Sequence, residues 1–237
     1  MRDVRFRTAG DTALVVEFGV EIDRGLSNQV LSLSERVRQA RIPGVTETVP
    51  TFRSLAVHYD PLVTSAEPLV AVIREFLAGE AQPPHSARVW RVPACYEDDL
   101  ADVARTKGLS ICEVVRLHSE VRYHVYMVGF VPGYPYIGDL PAELALPRRT
   151  NPRVRVPAGS IAIATQMTAI YPIESPGGWH LIGATPVRLF DPSWERPALL
   201  SPGDAVQFEP ISWFEYQRVR HAVTAGAYTV PCERLAS

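Results

Sequence analysis

His124-Val125-Tyr126-Met127-Val128-Gly129-Phe130-Val131-Pro132-Gly133-Tyr134-Pro135-Tyr136-Ile137-Gly138 is the stretch on which the fold turns. It opens as a β-rich run over 124–128, then breaks into aromatic rings interleaved with proline and glycine. Such spacing is incompatible with a long helix and predicts a loop, not a regular strand, over 129–138. The texture persists: twelve of the 21 prolines and seven of the 15 glycines lie between Phe130 and Gly203. Between these breakers sit short β-rich runs at 161–164, 168–171, 180–182, 187–190 and 205–208, the last entered through the turn Ser201-Pro202-Gly203-Asp204. Many short strands with Pro/Gly turns predict a barrel or sandwich.

Outward from this region the chain becomes more helical. A strand is expected at 89–92, followed by helices at 100–107 and 111–118. Asp98 or Asp99 is placed to cap the first, and Ser110 with Glu113 has capping-box spacing for the second. After Pro210 a short helix fits 213–223, and the remainder reads as a tail. Residues 4–78 read as a separate α/β unit. Strands fit 13–18, 45–49 and 55–59. Leu26, Val30, Leu33 and Val37 mark a helix capped by Asp23, and Leu69, Val72, Ile73 and Phe76 mark another with Thr64 and Glu67 at capping-box spacing. Two helices on one face of the strands make an α+β sandwich. The segment 78–86, with Pro83-Pro84, reads as a linker, dividing the chain into domains 1–83 and 84–237.

Composition narrows the function. Hydrophobic residues at 46% and charged residues at 21% describe a globular chain. A net charge of -2 lacks the basic face that nucleic acid requires. No apolar run approaches the roughly 20 residues that cross a bilayer, and Met1-Arg2-Asp3-Val4-Arg5 does not begin a secretory signal. Cys95, Cys112 and Cys232 are sparse and odd in number, as reduced thiols are, so a cytoplasmic location is expected.

Four groups of residues can carry chemistry. Phe130, Pro132, Tyr134 and Tyr136 suit a rigid aromatic wall of a ligand pocket or subunit interface, or else a turn lining the core. Arg148, Arg149, Arg153 and Arg155 offer planar donor forks for carboxylate or phosphate, or form a solvated surface. Arg153 and Arg155 share a face if their stretch is extended. Gly159-Ser160 and Gly177-Gly178-Trp179-His180 present backbone amides to an anion or are ordinary turns; neither is a P-loop. His118, next to Ser119, is either a general base or a structural histidine. No spacing for a metal site is present.

These residues also carry a resemblance. Leu117-His118-Ser119, Tyr123, Gly129-Phe130 through Gly138, Pro147-Arg148-Arg149, Pro152-Arg153, Val156-Pro157-Ala158-Gly159-Ser160, Tyr171-Pro172, Ser175-Pro176-Gly177-Gly178-Trp179, Leu181-Ile182-Gly183, Thr185 and Leu189-Phe190-Asp191-Pro192 together resemble the PxpB family, the B subunits of 5-oxoprolinase and their allophanate hydrolase counterparts. That family also takes in KipI-type kinase inhibitors and the matching half of the urea carboxylase carboxyltransferase domain. The resemblance implies a ferredoxin-like α/β domain followed by a cyclophilin-like β-barrel. It implies PxpA-like and PxpC-like partner subunits, and use of ATP by the complex to open 5-oxoproline to glutamate. Inhibition of a sensor histidine kinase and a carboxyltransferase role are the alternatives.

Carried onto this chain, the resemblance makes His118, Arg153 and Tyr171 the catalytic candidates. Phe130, Pro132, Tyr134, Tyr136, Arg148, Arg155, Gly159, Ser160, Thr168, Gly177, Gly178, Trp179 and His180 become candidates for binding substrate or nucleotide. Tyr136, Arg153 and Trp179 are expected on one concave surface shared with a partner. One stretch departs from the family. Where Gly-Ile-Ala-Gly-x-Gln-Thr-Gly is common, this chain reads Ala162-Ile163-Ala164-Thr165-Gln166-Met167-Thr168-Ala169, and His180 stands where Gln is frequent. Added methyls narrow close approach at those positions.

Overall fold

The computed structural model describes residues 4–79 and 87–234. The chain divides into two compact units, 1–86 and 87–236. Past Gly79, the expected linker and its 83/84 boundary lie outside the described residues.

In the first unit the elements run β1 (Arg5–Thr8), β2 (Ala13–Glu17), α1 (Arg24–Ala40), β3 (Val45–Pro50), β4 (Ser54–Tyr59) and α2 (Ala66–Ala78). The strands form one antiparallel sheet in the order β1-β2-β4-β3. Strand alternation sends Leu14, Val16, Leu55, Val57 and Tyr59 to one face, where they pack with Leu26, Val30, Leu33 and Val37 of α1 and Leu69 and Ile73 of α2. Asp23 caps α1 as expected, its Oδ1 accepting from the Leu26 amide at 3.0 Å. The Thr64 capping box does not form. Backbone bonds from Val63 and Thr64 to the Asp60 carbonyl hold that segment in a turn, and the helix starts after Ser65.

The connectivity is ββαββα, whereas a ferredoxin-like unit is βαββαβ. The outer strand beside β2 comes from the N-terminal β1, which was not expected. With Phe6 as its one apolar residue, β1 has no alternation to read.

The second unit begins with β5 (Arg88–Ala94), α3 (Leu100–Lys107) and α4 (Ile111–Ser119), followed by β6 (Tyr123–Val128) and β7 (Pro135–Gly138). It continues through β8 (Arg153–Val156), β9 (Ser160–Ala164), β10 (Met167–Ile170), β11 (Ser175–Gly177) and β12 (His180–Ala184), and ends with β13 (Ala205–Pro210), α5 (Trp213–Thr224) and β14 (Cys232–Arg234). Eight strands make one sheet, β12-β9-β10-β7-β6-β13-β5-β14, while β8 and β11 form a separate pair. The described strands do not close into a barrel. The sheet nevertheless curls until the segment after β5 reaches β12: Cys95 bridges Ala184, and the Glu97 and Asp99 amides donate to the Ile182 and Leu181 carbonyls at 3.1 and 2.8 Å. The concave side buries Val92, Val125, Ile137, Ile161, Ile163, Ile170, Ile182, Val206 and Phe208, covered by Leu100 and Val103 of α3 and Val114 of α4.

The capping box of Ser110 and Glu113 is present. Asp99 occupies the N-cap of α3, but its carboxylate does not cap. Three expectations are corrected. The second half of the opening stretch is not all loop: β7 pairs with both β6 and β10, because Pro135 begins the strand, where a missing donor is tolerated. No strand forms at 187–190, which is enclosed by Pro186 and Pro192 and keeps only an isolated bridge from Phe190 to Ala198. Part of the tail is β14, paired antiparallel with β5.

Candidate functional site

The sequence Ile161-Ala162-Ile163-Ala164 builds the floor of the site by alternation. Its isoleucines enter the main core, and its alanines face the opposite side of the sheet. Ala169, Tyr171 and Leu181 of the neighbouring chain segments join that second face. Over this floor stand Tyr134, Tyr136 and Trp179. The Tyr134 ring lies 5.1 Å from Tyr136, 5.2 Å from Tyr171 and 6.4 Å from Trp179, all edge-on, and Tyr136 is also 6.4 Å from Trp179. Such edge-to-face contacts favour the ring quadrupoles. Ala162 and Ala169, the alanines that replace family glycines, therefore lie beneath the aromatic cluster, each adding a methyl to its floor.

Two backbone features hold the rings. Phe130 adopts φ 74°, a left-handed value that costs a non-glycine residue about 1 kcal/mol or more. Backbone bonds from Gly129 to Tyr134 and from Tyr134 to Val131 fix the loop. Phe130 itself is 62% exposed, its ring 5.5 Å from Tyr134, and Pro132 lies in the same turn. On the other side, a Cβ at Gly177 would fall 2.1 Å from the Tyr171 hydroxyl, so only glycine admits that approach. Burial pushes both the Tyr134 and the Tyr171 phenols above their ordinary range, so both rings are neutral.

The four arginines have different fates. Arg149 Nη1 and Arg153 Nη2 both donate to the Asp99 carboxylate, at 3.2 and 2.6 Å. Asp99 also accepts the Leu181 amide at 3.0 Å. Burial raises the Asp99 carboxyl, but the Arg153 bond, the Leu181 amide and the two guanidinium charges outweigh it, leaving it below the usual range. Arg155 lies on the exposed edge in a bidentate pair with Glu174, at 2.9 and 3.0 Å, so it does not share the environment of Arg153. Arg148 is exposed and stacks on Trp179, its Cζ 6.0 Å from the ring centroid. It lowers the Tyr171 phenol, as Arg153 does more weakly. Arg153 stands opposite Gly177 in the β8–β11 ladder. Tyr136, Trp179, Arg148 and Arg153 thus gather around Tyr171.

The two glycine loops differ in how their backbone is engaged. The Gly159 amide donates to the Tyr171 carbonyl at 2.7 Å, and its carbonyl accepts from Thr185. The Ser160 amide donates to Pro157, while the Gly178 carbonyl accepts from Arg149. His180 Nε2 donates to the Pro147 carbonyl at 2.9 Å, tying the arginine loop to β12. The Gly159 and Ser160 amides are thus taken up by backbone carbonyls, whereas at Gly178 it is the carbonyl that is engaged.

His118 and Thr168 are not brought to the aromatic face. His118 is fully buried on the core side, with Nδ1 2.8 Å from the Tyr96 hydroxyl and Nε2 2.9 Å from Thr168 Oγ1. Its ring packs 4.5 Å from Phe208, and burial drives its pKa down to about 3. A neutral imidazole that joins α4 to β10 is the result. Among the described residues, no cluster of three His, Cys, Asp or Glu side chains is placed to hold a metal. Asp99, which anchors Arg149 and Arg153 at this site, was missed by the sequence reading; its position before α3 signalled only a cap.

The family described as carboxyltransferase domain, subdomain C and D, matches residues 4–200. The chain is similar to the 5-oxoprolinase B subunit of Bacillus subtilis (strain 168), 37% identical over 87% of this chain and 92% of that protein. It is also similar to the 5-oxoprolinase B subunit of Escherichia coli O157:H7, 39% identical over 89% of this chain and 97% of that one. Among solved structures, TTHA0988 matches with a TM-score of 0.77 at 36% identity, covering 85% of this chain but 40% of that longer chain.

Proposed function

Since the chain belongs to the carboxyltransferase domain, subdomain C and D, family and to the 5-oxoprolinase B subunits within it, we propose that it is one component of an ATP-dependent 5-oxoprolinase. In that reaction water adds across the lactam C–N bond of 5-oxoproline to give glutamate, coupled to hydrolysis of ATP to ADP and phosphate. An unactivated lactam is a poor electrophile, which is why the coupling is needed.

The observation that carries the reading is Arg148. Its guanidinium is exposed, stacks on Trp179 and has no ion pair among the described residues, whereas Arg149, Arg153 and Arg155 are engaged by Asp99 and Glu174. A free planar fork beside aromatic edges suits a small ring bearing a carboxylate. In this reading Arg148 receives the carboxylate, Tyr136 and Trp179 flank the ring, and buried Tyr171 supports them from beneath. Arg153 acts through its field and through its hold on Asp99.

PxpA-like and PxpC-like partners supply the ATP chemistry and complete the site, so the isolated chain is inactive. Exposed Phe130 and Val154, at 62% and 83%, support a covering partner at the aromatic loop and the β8–β11 layer. We take the curled sheet as a cyclophilin-like barrel tied at Cys95–Ala184, and the first unit as a ferredoxin-like sheet with its outer strand supplied by β1. No helix of the described residues is long and apolar enough to cross a membrane. We place the complex in the cytoplasm, in keeping with free Cys95, Cys112 and Cys232. The family description keeps carboxyl transfer as a second reading, which needs a biotinylated partner.

The test is ADP release with 5-oxoproline in a complex reconstituted from this chain and its PxpA-like and PxpC-like partners. Arg148→Ala should raise KM about 10- to 100-fold, the loss of a charged hydrogen bond of about 1.5–3 kcal/mol. Arg155→Ala, on an exposed pair, should change it by less than about threefold. Absence of substrate-dependent turnover in the intact complex, or equal effects of the two substitutions, rejects the assignment.

A further inference from the structure

A cavity of about 520 Å³ in the second unit shares no lining residue with the aromatic face. Its size falls within the range of small-molecule sites. Trp90, Trp194 and Tyr228 line it, with Arg88, Arg188 and the Cys232 thiol. Tyr228 and Cys232 come from the segment after α5 and from β14, past the end of the family match at residue 200.

One wall is fixed before any ligand arrives. The Trp90 indole Nε1 donates to Asp204 Oδ2 at 2.9 Å, and the same carboxylate accepts the Arg88 and Ser201 amides, each at 2.9 Å. The ring is therefore held in one orientation, and the acid beneath it is engaged on both oxygens. The Arg88 guanidinium stacks on this ring, 5.6 Å from its centroid. Arg188 gives one nitrogen to Asp191 at 2.5 Å and is 56% exposed. Trp194, 37% exposed, lines the same cavity as these cations. Aromatic surface next to guanidinium donors favours ligands that combine a π system with negative charge.

We propose that this cavity is a second ligand site, for a small molecule joining a flat unsaturated ring to an anionic group. The ring lies against Trp90, Trp194 and Tyr228, and the anion meets Arg88 and Arg188. A nucleotide and an aromatic carboxylate share this chemistry. The site is independent of the oxoprolinase assignment and stands or falls separately.

Cys232 provides the readout, with Cys112, exposed on α4 and absent from the cavity lining, as internal reference. The full chain is alkylated with iodoacetamide in the presence of ATP or of indole-3-acetate, and each thiol is followed by mass spectrometry. At ligand tenfold above its Kd, the unoccupied fraction falls to about one in eleven, so Cys232 labelling should slow about tenfold while Cys112 is unchanged. Protection by ATP alone identifies a nucleotide site, and protection by indole-3-acetate alone an aromatic-acid site; protection by both supports the shared chemistry. Trp194→Ala and Arg88→Glu, both on exposed side chains, should each weaken protection at least threefold. An unaltered Cys232 rate with both ligands up to millimolar concentration, equal slowing of both thiols, or full protection in both variants overturns the proposal.

Discussion

At Asp99 a single carboxylate holds two guanidinium groups and a strand amide, joining α3 to β8 and β12. Because its folded pKa is depressed, its contribution to stability is complete above the unfolded value, near pH 4, and is lost as pH falls through the folded value. Asp99→Asn should destabilise the chain by about 2 kcal/mol at pH 7, the scale of a charged hydrogen bond. The variant should also show a shallower loss of stability than the parent as pH falls below about 4. Denaturant titrations at about pH 7 and at successively lower pH below about 4 check it, and parallel curves for parent and variant would remove Asp99 from its place. The aromatic, arginine and glycine clusters were legible in the sequence as unusual local composition. The sorting of the arginines was not, because their partners lie far along the chain: Asp99 is 50 and 54 positions from Arg149 and Arg153. His118 gave no local sign that Tyr96 and Thr168 would enclose it, since burial is a property of the fold.

The elements followed their local chemistry wherever that chemistry was complete. Leu26, Val30, Leu33 and Val37 behind the Asp23 cap produced α1, and the Ser110–Glu113 box began α4. Elements without a local pattern were missed. β1 has a single apolar residue, and three-residue β14 depends on the waiting edge of β5. The run at 187–190 shows the reverse case, in which buried Val187 and Leu189 pack without a ladder. β12 offers the sharpest test of an element. A Cβ at Gly183 would lie 2.4 Å from the Cys95 carbonyl oxygen and 2.9 Å from Tyr96 Cα, backbone atoms that cannot step aside cheaply. Gly183→Ala should cost about 1–3 kcal/mol and lower Tm by roughly 2–12 °C. Gly178→Ala, whose Cβ would make ordinary contacts with Pro152 at 3.7 Å and the Arg149 carbonyl oxygen at 3.9 Å, should change Tm by less than about 2 °C. Equal melting of the two variants would show that the Cys95–Ala184 tie yields easily.

On the scale of the molecule, the family match ends at residue 200 while the second unit continues through β13, α5 and β14. Removing residues 211–237 deletes buried Val219 and uncovers the β5 edge. The shortened chain should melt several degrees lower, by roughly 2–4 °C per kcal/mol lost, and aggregate more readily through its bare strand. Unchanged melting and light scattering would show the C-terminal segment to be dispensable. The strand between β6 and β5 in the sheet order has a further consequence. β13 lies parallel to β5 and links to it across 116 positions, the separation of Arg88 from Asp204. A ribosome adding about 5–20 residues per second needs on the order of ten seconds to cover that distance. Through that interval nascent β5 has no β13 to pair with, so the sheet of the second unit cannot close up around it until residue 210 has been made.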